Sequence, residues 1–300
     1  MPTLKAPFPY FGGKRRVAEE VWARFGNVRS YVEPFFGSGA VLLARPTPFH
    51  GVETVNDKDG LLCNFWRALQ ADPASVAKHA DWPVSECDLH ARHLWLVERR
   101  EDITGRLMVD PEWFDSRAAG WWVWAWCNMA IKRNAFTEHA SPECASGPRR
   151  SGVAAIRETG DVLSALRKVA SRLSGVVVRC GSWERVLQSP SMRGSDGARY
   201  EGVFLDPPYA EGDSNYGTGT ALAADVREWA KVAGQEPSMR VALCGYDEHD
   251  ELGRLGWTAH KWSTQGGYGN KSDGDGRANS AREVVWFSPH CLSGKQLALF

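Results

Sequence analysis

The sequence predicts an α/β protein whose mostly parallel, doubly wound sheet is interrupted by a mainly helical insertion. Three observations predict it. Short apolar strands alternate with amphipathic helical stretches near both ends of the chain, the rhythm of a parallel sheet. A glycine turn, Gly37-Ser38-Gly39, stands between a strand and a helix. From residue 73 to 174 the rhythm lapses into tryptophan-rich, basic sequence.

Ser30-Tyr31-Val32-Glu33 reads as the first strand, Ala40 to Leu43 as the start of a helix, and His50 to Val55 as a second strand. Asp57-Lys58-Asp59 then leads into a helix in which Leu61, Leu62, Phe65, Trp66 and Leu69 follow i, i+3/i+4 spacing, closed by Asp72-Pro73. The middle stretch carries tryptophans at 82, 95, 113, 121, 122, 124 and 126. The run Trp121 to Trp126 is expected to pack in a core rather than stack on bases, given how deeply Trp usually sits. Ser141 to Gly152 reads as an exposed loop, and Asp161 to Leu173 as an amphipathic helix ended by Gly175. Strands follow at Val176–Arg179, Val203–Asp206, Arg240–Cys244, Trp257–Trp262 and Glu283–Phe287, with a helix over Ala221–Ala233. The expected organisation is a discontinuous core of residues 1–72 and 175–290, an inserted subdomain over 73–174, and a tail from 291 to 300.

With 300 residues, 43% hydrophobic and 24% charged, the chain can bury a full core and one inserted subdomain. The longest apolar stretch, Ala118 to Ile131, is too short to span a bilayer, so no membrane partner is expected. The N-terminus MPTLKAPFPYFGGKRR has no apolar signal region, and a cytoplasmic location is expected, in a bacterium or in its host's cytoplasm if a phage encodes the chain. Seven cysteines are scattered without a CxxC, which reads as free thiols rather than disulfides, and no metal site is expected. Net charge is zero, but its distribution is uneven. Residues 132–172 hold eight Lys/Arg against four Asp/Glu, and residues 200–260 hold four against eleven. The basic segments could meet phosphate or be merely solvated faces, and the charge pattern alone leaves both open.

Glu33-Pro34-Phe35-Phe36-Gly37-Ser38-Gly39 lets backbone approach a ligand closely, and Asp57, at the end of the next strand, can grip a ribose diol. A dinucleotide fold adds a third Gly or Ala where Leu42 stands, so a nucleoside without a pyrophosphate fits better. S-adenosylmethionine is the common ligand of that kind. Upstream, Tyr10-Phe11-Gly12-Gly13-Lys14 suggests a tight loop presenting backbone and a cation to a small anionic group. Downstream, a buried strand runs into Asp206-Pro207-Pro208-Tyr209, and the donor-free prolines must end it there.

Taken in order, PYFGGK (9–14), EPFFGSG (33–39), the acid at Asp57, DPPY (206–209), GGYGN (266–270) and AREVVWFSP (281–289) resemble the Dam-like, alpha-class DNA adenine-N6 methyltransferases. The resemblance runs from residue 7 to about 290, with the insertion unmatched in detail. It implies a Rossmann-like methyltransferase core, S-adenosylmethionine as methyl donor, double-stranded DNA as partner, and target recognition by the insertion. The implied donor-binding residues are Tyr10, Phe11, Gly12, Gly13, Lys14, Glu33, Pro34, Phe35, Gly37, Ser38, Gly39, Asp57, Ser182, Trp183 and Asp206. Ser182 stands where the family usually has an acid toward the donor's adenine. In DPPY, Asp206 and the Pro207 carbonyl would accept the two N6–H bonds and localise the nitrogen lone pair for in-line attack on the sulfonium methyl. Pro208 stiffens the loop, and Tyr209 offers a face to an unstacked base. Lys132, Arg133, Asn134, Arg149 and Arg150 of the insertion suit phosphates and base edges, as do Tyr216, Asn270, Lys271 and Arg277 in later polar loops. The same chemistry on RNA or on cytosine N4, and a non-catalytic DNA- or clamp-binding protein on a methyltransferase frame, stay open as alternatives. The final Gln296-Leu297-Ala298-Leu299-Phe300 resembles the pentapeptide that docks on the bacterial sliding clamp, through Gln296, Leu297, Leu299 and Phe300. It could equally pack on its own domain.

Overall fold

The computed structural model describes residues 4–10, 14–110, 112–130, 136, 142–145, 152–187, 200–208, 219–246, 250–262 and 283–293. Its strands are β1 (Ser30–Glu33), β2 (Val52–Asp57), β3 (Val176–Cys180), β4 (Glu201–Leu205), β5 (Met239–Tyr246), β6 (Thr258–Lys261) and β7 (Glu283–Phe287). They form one seven-stranded sheet in the order β3-β2-β1-β4-β5-β7-β6. The pairs β1–β2, β1–β4 and β4–β5 are parallel, while β7 runs antiparallel to both β5 and β6. The fold is the Rossmann-like, mostly parallel α/β arrangement that the alternating pattern predicts.

Helices flank these strands: α1 (Ala18–Phe25), α2 (Ala40–Leu43), α3 (Gly60–Ala71), α4 (Pro73–Ala80), α5 (Glu86–Glu98), α6 (Arg100–Val109), α7 (Ser116–Asn128), α8 (Gly152–Thr159), α9 (Val162–Leu173), α10 (Glu184–Leu187), α11 (Gly219–Ala233) and α12 (Asp250–Arg254). None of the described helices is long and apolar enough to cross a membrane. Helix starts follow the local chemistry. Asp59, Asp72, Ser85, Asp115 and Asp161 each accept a backbone N–H in the first turn of α3, α4, α5, α7 and α9, satisfying donors that the helix itself cannot. Asp72 also sets Pro73 at the first helical position, where its missing N–H costs nothing.

Two compact units divide the chain. The first comprises residues 1–10, 37–39 and 56–183. It holds all of 73–174 and, in addition, α3, β3 and the glycine turn. The sequence boundaries at 72 and 175 therefore stand as a proposed organisation rather than as the edges of a packing unit. In this unit α7 packs on α3, α4 and α5, and α9 on α4. Phe8 meets Trp122 edge-on at 4.9 Å and Phe65 at 5.4 Å. Trp122, Trp124 and Trp126 are buried, which is the core role expected of that run.

The second unit comprises residues 11–36, 40–55 and 184–300. Its centre is β4, all five residues of which are buried. Gly202 lets α1 lie close: a Cβ there would sit 3.0 Å from the Phe25 ring and 3.1 Å from Val28. Trp22 of α1 packs on Tyr31 at 4.8 Å and donates its indole N–H to the Val41 carbonyl. A buried ion pair joins Arg45 to Glu53 at 2.9 Å, with both side chains 3% exposed. Arg45 also donates to the Val28 carbonyl and lies over the rings of Trp22 and Phe49.

Removing one partner of such a pair strands the other charge away from water. Arg45→Met should cost roughly 3–5 kcal/mol in urea unfolding, and adding Glu53→Leu should recover most of it. A loss below about 1 kcal/mol for the single variant would show the pair to be well solvated.

Candidate active site

The first unit gathers one group of the expected residues. Gly37 and Gly39 take positive φ angles of 48° and 66°, a conformation that glycine adopts without strain. A Cβ on Gly37 would meet the Tyr10 ring at 2.7 Å, so the ring fills the space a side chain would need. Tyr10 is in turn stacked on Trp126 at 5.3 Å, and the Trp126 indole donates to the Pro9 carbonyl at 2.5 Å. Trp66 donates to the Gly37 carbonyl at 3.0 Å. The glycine turn is thus clasped on two sides, by Tyr10 and by α3.

Asp57 ends β2 and faces this turn. Its Oδ2 accepts the Gly37 N–H at 3.0 Å, and its Oδ1 accepts the Asp59 N–H at 3.0 Å. Burial pushes its carboxyl up to about 6, against the downward pull of the Asp59 and Gly37 amides. Gly181 donates to the Asp57 carbonyl at 2.9 Å, and Asn56 donates to the Gly181 carbonyl at 3.0 Å. These bonds tie the 181–183 turn to the end of β2, with Ser182 exposed and Trp183 buried. Cys63 lies underneath, its thiol bonded to the Asp57 and Arg179 carbonyls at 3.4 and 3.5 Å. Hydrogen bonding to Cys180, then burial, holds that thiol well above its ordinary pKa. All seven cysteines are free.

The second unit gathers the other group at the C-terminal end of β4, where a parallel sheet presents its ligand-facing residues. Asp206 follows β4 directly, half-buried, with Pro207 buried and Pro208 half-buried. Lys14, in a 3-10 turn over Lys14–Arg16, sits 2.9 Å from Asp206 Oδ1 and is almost wholly buried. The cation expected to face a small ligand from the N-terminal loop is therefore paired with the DPPY acid. Burial alone would lower the Lys14 pKa, but the charges of Asp206, Cys244 and Glu283 outweigh it and hold the ammonium above its ordinary value. Its Nζ also lies 5.5 Å from the centre of the Trp262 ring.

Cys244 on β5 is buried and hydrogen-bonded to Asp206; burial first, and that carboxylate next, hold its thiol well above the usual range. Glu283 opens β7 opposite Tyr246 of β5. Its carboxyl is raised by burial and by Asp206 and drawn down by Lys14. Glu33, at the end of β1, is buried, accepts the Tyr31 hydroxyl at 2.8 Å, and is raised well above the usual carboxylate range by burial. Pro34 is buried and Phe35 half-buried beside it in the chain.

Sequence reasoning left three members of these groups without a role in the site: Cys244, Glu283 and Trp126. A sequence signal existed for Glu283, a lone acid heading an otherwise apolar strand, EVVWF. Several expected residues lie outside the described ones: Phe11, Gly12, Gly13, Lys132, Arg133, Asn134, Arg149, Arg150, Tyr209, Tyr216, Asn270, Lys271, Arg277 and the tail Gln296–Phe300.

Residues 10–88 match the family model of the D12 class N6 adenine-specific DNA methyltransferases. That stretch carries Tyr10, Lys14, the glycine turn and Asp57, while Asp206, Cys244 and Glu283 lie beyond it. A search of curated proteins finds no match. Over residues 10–88 the chain is therefore similar to the D12 class N6 adenine-specific DNA methyltransferases, and it carries that stretch on a mostly parallel, Rossmann-like α/β sheet.

Proposed function

We propose that the enzyme takes its methyl group from S-adenosylmethionine and transfers it in one step to the N6 of an adenine turned out of the duplex, at Asp206. The observation that carries this reading is the Lys14–Asp206 ion pair at the end of β4, which fixes the direction of a carboxylate followed at once by two prolines. The fit of the donor rests on the first group. A turn with no room for a Cβ at Gly37 and a partly buried acid bonded to two amides suit a nucleoside whose ribose hydroxyls donate to Asp57. Tyr10, Gly37, Ser38, Gly39, Asp57, Ser182 and Trp183 would hold it. With Ser182 in place of an acid, the contact to the donor's base is a neutral hydrogen bond, weaker than a charge-assisted one. When bound, S-adenosylmethionine supplies an electrophilic sulfonium methyl.

The chain's own residues account for the rest. Adenine N6 is a poor nucleophile because its lone pair is delocalised into the ring. Asp206 accepts one N6–H and the Pro207 carbonyl the other, which draws the nitrogen toward sp³ and localises the pair. That pair would form the new N–C bond as the C–S bond breaks with its electrons on sulfur, and the surplus N6 proton would pass through the Asp206 hydrogen bond to solvent. Pro207 and Pro208 keep the acceptors from relaxing away, so little reorganisation is needed as charge develops. Tyr209 provides the stacking face for the extruded base. The 73–174 insertion is assigned to target recognition, with Lys132, Arg133, Asn134, Arg149 and Arg150 toward DNA, joined by Tyr216, Asn270, Lys271 and Arg277. The tail Gln296–Phe300 is assigned to a sliding clamp.

Asp206→Ala should abolish methyl incorporation into DNA while leaving donor and DNA affinities within a few-fold of wild type; undiminished turnover would refute the assignment. Because Asp57 must be ionised to accept two hydroxyls, and its carboxyl titrates at about 6, donor affinity should fall as pH drops from 8 to 5. Asp57→Asn should bind the donor weakly and show no such pH dependence in calorimetry; a wild-type affinity that is flat over this range would contradict the role. Deleting Gln296–Phe300 should eliminate clamp binding without changing turnover on short duplexes, whereas a lowered melting temperature with clamp binding intact would make the tail structural.

A further inference from the structure

We propose that Glu283 is a second carboxylate of the methyl-transfer site, supplying the net negative charge that Lys14 neutralises on Asp206. The inference rests on the reading that Asp206 receives the N6 amino group. Transfer of a methyl cation to N6 builds positive charge on that nitrogen. An Asp206–Lys14 pair at 2.9 Å orients the amino group but is neutral as a unit, so it offers little net charge to meet that growth. One further anion in the same cluster makes the sum negative.

Glu283 has the placement for it. Register puts it opposite Tyr246, two residues beyond the Cys244–Val285 pair, at the same end of β5 as the thiol bonded to Asp206. Its field acts on Lys14 and on Cys244, and the fields of Lys14 and Asp206 act on it. Glu283 Oε2 is buried with no hydrogen-bond partner among the described residues. A buried acceptor left unpaired costs free energy in proportion to its desolvation, and such a group persists where function holds it. Opposite charge close by explains why it is tolerated here: Lys14 lies in the same cluster. The strand partner beside it, Val284, pairs with Lys261 of β6, whose side chain is exposed. Besides burial, the charges that set its ionisation are those of Lys14 and Asp206.

Burial raises the Glu283 carboxyl, Lys14 lowers it and Asp206 raises it again, for a net position above the ordinary 4.5. The charge is present only above that raised value, so the rate of transfer should climb with pH through a range higher than a solvated glutamate would give.

Single-turnover methyl transfer from S-adenosylmethionine to unmethylated plasmid DNA, at saturating donor so that Asp57 does not enter, tests this on the full chain. Glu283→Gln should lose roughly 10- to 100-fold in rate, keep donor and DNA affinities within about twofold, and lose the acidic limb of the profile. Glu283→Asp, which restores the charge, should recover most of the rate and the limb. Glu283→Gln with wild-type rate and profile overturns the proposal, as does a loss that Glu283→Asp shares in full. Should Glu283→Gln not fold, a wild-type acidic limb at or below 4.5 overturns it equally. Asp206→Ala measured alongside separates the two ideas. If it is inactive while Glu283→Gln is unaffected, only the role of Glu283 falls; if it remains active, the reading of Asp206 falls with it.

Discussion

The Lys14–Asp206 ion pair is the constraint around which the proposed chemistry of the second unit is arranged. A carboxylate at the end of a parallel strand is free to rotate about two bonds, and a rotating acceptor cannot preorganise anything. The buried ammonium at 2.9 Å removes that freedom, and the buried thiol of Cys244 adds a second donor. The arrangement depends in turn on β4 being buried along its whole length, which Gly202 permits by letting Phe25 and Val28 close over it. Packing that looks purely structural at one end of the strand therefore fixes the position of the acid at the other.

The first unit uses backbone where the second uses charge. Asp57 is positioned by the Gly37 and Asp59 amides rather than by a cation, and the glycine turn is held by ring packing from Tyr10 and by the Trp66 indole. An acid held only by amides keeps its negative charge for a ligand while remaining in place. Burial raises its carboxyl to about 6, so its charge responds to pH closer to neutrality than a solvent-exposed acid's would.

Much of the fold was legible because its signals are local. The strand Ser30–Glu33, the helix carrying Leu61 to Leu69 and the helix capped by Asp161 were each readable from spacing and end residues, and each forms where the pattern puts it. The same holds for the glycine turn and Asp57, twenty residues apart in sequence yet joined by a hydrogen bond. Lys14 is different. Its sequence context, beside two glycines, points to a small anion, and only the tertiary fold shows that its partner is an acid 192 positions downstream. Cys244 was invisible for the same reason, since it sits in an apolar strand whose neighbours are set by sheet order; Glu283 showed as a lone acid, but its neighbours did not. Sheet order depends on which non-local pairs close, and no window of sequence carries that information. Trp126 was read as core and is core, but its second role, backing Tyr10, needed the ring geometry.

The most direct test of the central claim is nucleoside mass spectrometry of unmethylated DNA treated with the purified protein and S-adenosylmethionine. The proposed site, in which Asp206 and the Pro207 carbonyl receive one exocyclic amino group of adenine and Lys14 holds Asp206 in place, predicts N6-methyladenine as the new nucleoside. N4-methylcytosine, or DNA left without any added methyl group, would contradict it.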